Sequence, residues 1–190
     1  PISGTVTAVD MLPNGQGQRR MMVVIKREGD EWVESIDRST ELKRACTLEP
    51  KEIIAKVKEA GIVGMGGAQF PTHVKLSIPE GQKANILIIN GVECEPYLTS
   101  DYRTMLERGE MMLVGVSLLM RAISVDRAVI GIENNKPDAI AHLKRLIVDG
   151  SYRGIEVMPL KTRYPQGGEK QLIAAVTGRQ VPPPPALPIS

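Results

Sequence analysis

The chain has 190 residues, 42% of them hydrophobic and 24% charged, the make-up of one or two ordinary globular domains. Its net charge of +2 is too small to argue for nucleic acid or an anionic membrane surface, and no run approaches the roughly 18 apolar residues of a membrane-spanning helix. The two cysteines, Cys46 and Cys94, form no Cys-x-x-Cys, which argues against a zinc site or iron–sulfur cluster held by these residues alone.

The first residues, "PISGTVTAVD", lack the basic start and apolar core of a secretory signal and read as the middle of something larger. Residues 1–40 are β-rich: "SGTVTAVD" and "MMVVIKREGD" are strand-like runs separated by the turn-forming "LPNGQGQ". Two strands are marginal by themselves, so this piece is expected to lean on other structure. The pattern then changes. In "PKEIIAKVKEAG", Ile53, Ile54, Val57 and Ala60 share one helical stripe, with Pro50 suited to the first turn and Gly61 to the cap. The run "ANILIING" predicts a strand buried on both faces. "TMLERGEMMLVGVSLLMRAI" predicts one helix with Met105, Met112, Val116, Leu119, Met120 and Ile123 on its core face, the methionines acting as filler. A strand at "RAVIGIE", a helix from Pro137 to Gly150, a strand at "GIEVMPL" and a helix closed by Gly178 complete the series. Alternating strands and helices predict an α/β fold with a mainly parallel sheet and flanking helices, spanning residues 41–180. Residues 181–190, with prolines at 182–185, read as an extended connector or a cut end.

Ligands of such sheets bind beyond the carboxyl ends of the strands. Three loops fall there: "NGVECEPYLTSDYR", "IENNK" and "KTRYPQGGEK". In the first, Glu93 and Glu95 flank Cys94, and the residues alone leave two readings open: a solvated acidic turn, or a carboxylate pair beside a bound ring. In the third, Gly167 and Gly168 open a helix, which makes either a plain turn or an anion site built from backbone N–H groups. A fourth segment, "GIVGMGGAQFPTHVK", places Gly64, Gly66 and Gly67 before the chain's only phenylalanine, Phe70. It is not a P-loop, lacking Gly-Lys-Ser/Thr, and it is not a Rossmann fingerprint, because a helix precedes it rather than a strand. His73 and His142 are isolated, and no histidine lies near Cys94 in sequence.

In combination, "GIVGMGGAQFPTHVKL", "LIINGVECEPYLTSDYR", "GIENNKP" and "YPQGGEKQLIAAVTGRQVP" resemble the C subunit of the Rnf electron-transport complex over nearly the whole chain, and more distantly the flavin-carrying NADH-oxidising subunit of respiratory complex I. "ISGTVTAV" is similar to the tail of the barrel-sandwich region that precedes the flavin domain in that family. The resemblance implies a domain that binds FMN without a covalent bond and takes hydride from NADH. Electrons would then pass to 4Fe–4S clusters outside this chain, with ferredoxin reached through the complex. It further implies other Rnf subunits as partners and a cytoplasmic, peripheral position on the inner face of a bacterial membrane, with no direct membrane insertion.

The same resemblance assigns roles to residues. Gly64, Gly66, Gly67 and Ala68 would form the flavin cradle, with Phe70 near the nucleotide and Lys75 at the flavin edge or side chain. Asn90 would hydrogen-bond FMN. Glu93 and Glu95 would border the isoalloxazine, Glu95 near the nicotinamide as the catalytic-site residue. Tyr164, Gly167 and Gly168 would lie along the flavin, and Glu169 would face the NADH ribose. Three positions depart from the pattern of the wider family: Gln69 stands where glycine is usual, Val92 where complex I has aspartate, and Gly168 where complex I has the first of two glutamates. Three alternatives remain beside this reading: a cofactor-free α/β scaffold, the flavin domain of an NADH-dependent cobalamin reductase, and a non-enzymatic interaction domain.

Overall fold

The structure is a computed structural model that describes residues 2–65 and 69–181. Gly66, Gly67 and Ala68 of the expected cradle, and residues 182–190 of the expected connector, lie outside the described residues. The chain divides into two units, residues 1–41 and 42–190.

The first unit is an antiparallel ribbon of β1 (Gly4–Pro13) and β2 (Arg19–Arg27). Its turn is built by Asn14, whose side-chain oxygen accepts from the Gln16 and Gln18 N–H groups, both at 3.0 Å. The register shifts between Val6 and Ala8, a bulge that adds twist to the ribbon.

The second unit contains α1 (Pro50–Glu59), α2 (Thr72–Leu76), β3 (Leu87–Asn90), α3 (Ser100–Glu107), α4 (Gly109–Ala122), β4 (Ala128–Glu133), α5 (Pro137–Asp149), β5 (Ile155–Leu160) and α6 (Glu169–Thr177). The strands form a parallel sheet in the order β3-β4-β5, each neighbour reached through helical crossovers. Alternation along the strands divides the core. Ala128, Ile130 and Ile132 join Ile155 and Val157 against Leu113, Val116 and Met120 of α4 and Leu143 of α5. On the other face Leu160 meets Leu172 of α6. Gly131 lies on this second face, and a Cβ there would sit 2.9 Å from both Leu160 Cδ1 and Leu172 Cδ1. That glycine lets α6 approach β4. A third cluster, centred on Ile53, Leu76 and Ala122, fastens α1 and α2 to α4.

The α/β architecture, its parallel sheet and the preceding β segment agree with the sequence reading. Three details differ. The strand buried on both faces is β4, all six residues of it, whereas β3 is half-buried at the edge of the three-stranded sheet. The single helix expected across Met105–Ile123 is two helices, broken at Arg108. At the break, a Cβ on Gly109 would lie 2.8 Å from Leu146 Cδ1 and 3.1 Å from Leu143 Cδ2, so α4 begins where it packs tightly on α5. The short helix α2 has no apolar periodicity long enough to reveal it.

The expected helix ends are present. Gly61 adopts φ 64°, donating to the Lys58 carbonyl at 3.0 Å while the Ile62 N–H reaches Val57 at 3.2 Å, a Schellman closure of α1. Gly178, at φ 72°, closes α6. No helix among the described residues is long and apolar enough to cross a membrane.

Leu113→Ala, at a site with no solvent exposure, is expected to lower unfolding stability by about 2–5 kcal/mol. Val148→Ala, on the exposed side of α5, should change it by less than about 0.5 kcal/mol in the same urea titration.

Candidate functional site

Residues 62–72 leave α1 and return to it. The Gly64 N–H donates to the Phe70 carbonyl at 2.9 Å, the Thr72 N–H donates to Ile62 at 3.1 Å, and Val63 and Pro71 form an antiparallel bridge. The loop's stem is thereby fixed. Its far side carries Met65, 96% exposed, and Gln69 in the left-handed region at φ 51°. Gln69 therefore holds a backbone conformation that glycine adopts without strain. Gly64 is the opposite case. Its φ is ordinary, and among the described residues a Cβ there would meet the Phe70 backbone, at 3.7 Å or beyond. No contact among the described residues requires glycine at 64.

The return limb brings three of the expected residues together. The Lys75 ammonium lies 5.9 Å from the centre of the Phe70 ring and 3.8 Å from Glu169 Oε1 at the first turn of α6. All three side chains are exposed. An ion pair of this kind contributes little to stability, so its significance is positional.

Beyond β3, Asn90 joins two loops. Its Nδ2 donates to the Gly167 carbonyl at 2.9 Å, and its Oδ1 accepts from the Val92 N–H at 3.2 Å. The Gly167 N–H lies 3.4 Å from Cys94 Sγ. A Cβ on Gly167 would fall 3.2 Å from the Val92 carbonyl and 3.3 Å from Cys94 Sγ, so glycine is what allows the loop to lie flat on residues 92–94. Asn90, expected to address the flavin directly, has its amide engaged in this tie on both sides.

Glu93 and Glu95 do different things. Glu93 is 9% exposed, and its carboxylate caps α3: Oε1 accepts from the Asp101 N–H at 2.8 Å and Oε2 from the Tyr102 N–H at 3.0 Å. The Thr99 side chain at the N-cap makes no such bond, so Glu93 supplies the acceptor from outside the helix. Glu95 is exposed, on the wall of a cleft of about 450 Å³. That cleft lies at the carboxyl end of β4, between the 93–99 loop, Tyr102 of α3, the 133–136 turn and Thr162. Sequence reasoning named the "IENNK" loop but none of its residues. Glu133 and Lys136 are buried in this cleft as an ion pair, and the signal for them was a charged residue at the end of a wholly apolar strand.

The site's titration is uneven. Burial first, and then the Glu93 carboxylate, raise the Asp101 carboxyl above the ordinary 3.8, with Lys136 opposing. The Tyr102 hydroxyl donates to Asp138 between α3 and α5, which raises the tyrosine and lowers the aspartate.

Tyr164, Gly168 and Glu169 lie on the third loop. Tyr164 is exposed. Gly168 is the N-cap of α6 and offers no side-chain acceptor, so the positive end of that helix is free of a side-chain cap. Gln166, missed in the sequence reading, is buried and takes the Arg163 Nε hydrogen at 2.7 Å, with its own Nε2 unpartnered among the described residues.

Residues 57–190 match the Nuo51 FMN-binding domain. The chain belongs to that family. Its curated relatives include the C subunit of the proton-translocating ferredoxin:NAD(+) oxidoreductase complex of Clostridium ljungdahlii, 46% identical over 181 residues, covering 95% of this chain and 38% of that one. The C subunit of the Na(+)-translocating ferredoxin:NAD(+) oxidoreductase complex of Acetobacterium woodii is 47% identical over 184 residues, with 95% and 40% covered. The chain thus spans about two fifths of the length of these relatives. Among solved structures, the NAD+-reducing [NiFe]-hydrogenase in its H2-reduced state superposes with a TM-score of 0.58 at 29% identity, over 72% of this chain and 26% of that chain. The family and the parallel-sheet fold agree with what the glycine loop, Asn90-x-x-Glu93-x-Glu95 and Gly167-Gly168-Glu169 implied.

Two measurements test the internal electrostatics. Glu93→Gln weakens the cap on α3 and is expected to lower stability by about 1–2 kcal/mol in thermal unfolding at neutral pH. Asp101, raised in the folded state, holds its proton more tightly folded than unfolded. Stability therefore falls as pH rises through the window between 3.8 and the raised value, and the loss persists above it. Asp101→Asn should remove that fall, so urea midpoints measured on either side of the window would differ less than in the native chain.

Proposed function

We propose that this chain is the FMN-binding, NADH-oxidising part of the C subunit of an Rnf-type, ion-translocating ferredoxin:NAD+ oxidoreductase. The reading rests on one observation above all: Gly64 is a glycine that no packing contact among the described residues explains. A backbone kept bare where the fold has room for a side chain suits close approach of a ligand. The family match supplies the ligand's class, and the relatives' printed activities supply the reaction.

The residues fit such a group. The glycine loop, the 90–96 segment and the 164–169 loop converge through the Lys75–Glu169 pair and the Asn90–Gly167 bond. Together they offer bare backbone, a lysine, an uncapped helix start and exposed aromatic rings. That donor set suits a phosphate with a planar ring attached. Lys75 supplies positive charge beside Phe70. Tyr164 offers ring surface, while Gly167 and Gly168 keep the third loop low. Glu169 would accept from a ribose hydroxyl, making a 2′-phosphate unwelcome and favouring NADH. Glu95 would border the nicotinamide side, its exposed carboxylate helping to orient the ring. FMN, when bound, supplies hydride acceptance and one-electron delivery. Electrons would then leave for 4Fe–4S clusters held elsewhere in the same polypeptide, on a cytoplasmic face of the membrane complex.

The test is flavin fluorescence quenching by the natural full-length polypeptide, native and Gly64→Ala. Alanine at 64 should leave the unfolding free energy within about 0.5 kcal/mol of native. It should weaken FMN at least about tenfold, or ~1.4 kcal/mol. Native-like FMN affinity in the variant would remove the glycine loop from the site. No quenching by the native protein would remove the flavoprotein reading.

A further inference from the structure

Glu133 is the last residue of β4 and is 1% exposed. Its Oε2 lies 3.3 Å from Lys136 Nζ, and its Oε1 has no hydrogen-bond partner among the described residues. Both residues line the cleft at the carboxyl end of the sheet. Their neighbours there are already engaged. Glu93 is filled by the α3 amides, and the Tyr102 hydroxyl donates to Asp138. The Asn134 side-chain oxygen takes both the Thr162 hydroxyl, at 2.9 Å, and the Thr162 N–H, at 3.3 Å. What remains in the buried part is one carboxylate oxygen that lacks a donor and a lysine with hydrogens to spare, with Glu95, Tyr97, Thr99 and Asn135 exposed around the rim.

A buried carboxylate oxygen without a donor is disfavoured, so this cleft is chemically incomplete. The missing group must donate to Glu133 Oε1 and accept from Lys136. A fully deprotonated anion cannot donate. A hydrocarbon does neither. A metal ion finds no cluster of three histidine, cysteine or acidic ligands among the described residues. A vicinal diol or polyol does both, because each hydroxyl is donor and acceptor at once. The rim also suits a ring attached to such a chain. Tyr97 is 101% exposed and held at φ 67°, a conformation that disfavours a β-carbon, and the half-exposed Leu98 adjoins it. At about 450 Å³ the cleft is within the usual size of small-molecule sites.

We propose that Glu133 and Lys136 form a binding site for the sugar part of a nucleotide, the carboxylate accepting from its hydroxyls and the ammonium donating to them. This deepens the flavin–dinucleotide reading and rests on it. Two sugars share this chemistry: the ribityl chain of the flavin and a ribose of the dinucleotide.

The experiment uses the natural full-length polypeptide, native, Glu133→Gln and Glu133→Asp, titrated with lumiflavin, riboflavin and NADH. The aspartate keeps the charge pair while withdrawing the oxygen, and it carries the test where the glutamine variant does not fold. Losing a hydrogen bond to a charged group corresponds to about tenfold or more in affinity. Riboflavin weakened to that extent with lumiflavin unchanged assigns the site to the ribityl chain. NADH weakened with both flavins unchanged assigns it to ribose. Folded variants that bind riboflavin and NADH within about twofold of native would overturn the proposal, water then being the only guest of Glu133. Equal losses for lumiflavin and riboflavin would also overturn it, as general damage to the site. If the native protein binds no flavin and no NADH, the functional reading itself has failed, and this proposal fails with it.

Discussion

The side-chain amide of Asn90 holds the carboxyl end of β3 against the loop that starts α6, and the arrangement of the site depends on that bridge. The 165–168 loop is far in sequence from the strand and from the 92–94 segment that follows it. They are joined by one amide that donates to Gly167 and accepts from Val92. Asparagine suits this position because it does both, whereas aspartate could only accept. The bridge also needs Gly167, since any Cβ there would press on Val92 and Cys94. With these two residues in place, α6 begins beside Lys75 of α2.

The sheet provides the rigid footing. All of β4 is buried, which places its last residue, Glu133, in the interior at the floor of the cleft. Glu93 gives the cleft its opposite wall by a different route, through capping of α3. Both glutamates are held by the fold, yet their circumstances differ. Glu93 has its acceptor sites matched by backbone N–H groups. Glu133 has one oxygen matched and one bare. A fold that satisfies one buried acid fully and another by half leaves capacity for a guest at the second.

Much of the architecture was legible because local signals and packing agree. Gly61, Pro137 and Gly178 end or start helices as their chemistry suggests, and alternating strands and helices gave the parallel sheet. What escaped was set by tertiary contact. The break at Arg108 falls where α4 packs tightly on α5 at Gly109, which no helical period encodes. The distinction between β3 and β4 depends on sheet order, which two similar apolar runs cannot reveal. At the site, residue types were readable but their allegiances were not. Glu93-x-Glu95 looks like a matched pair on paper; the turn at 92–95 gives one carboxylate to a helix and leaves the other in solvent. Gln166 and Lys136 are polar residues buried by their surroundings, and nothing in their neighbours' sequence announces it.

The two sides of the sheet's carboxyl edge differ in what they offer. On one side are the start of α6, which has no side-chain cap, and Lys75, a region that offers donors beside the paired Glu169. On the cleft side are Glu95 and Glu133, a region rich in acceptors. A nucleotide has the complementary division: phosphates that only accept, and hydroxyls that donate. In the proposed reading, a ligand lying across the Asn90–Gly167 bridge would set its phosphate toward Lys75 and the start of α6 and its hydroxyls toward Glu133. The reverse orientation would set phosphate toward Glu95 and Glu133, with Lys136 as the opposing charge, so the proposal favours the first direction of binding.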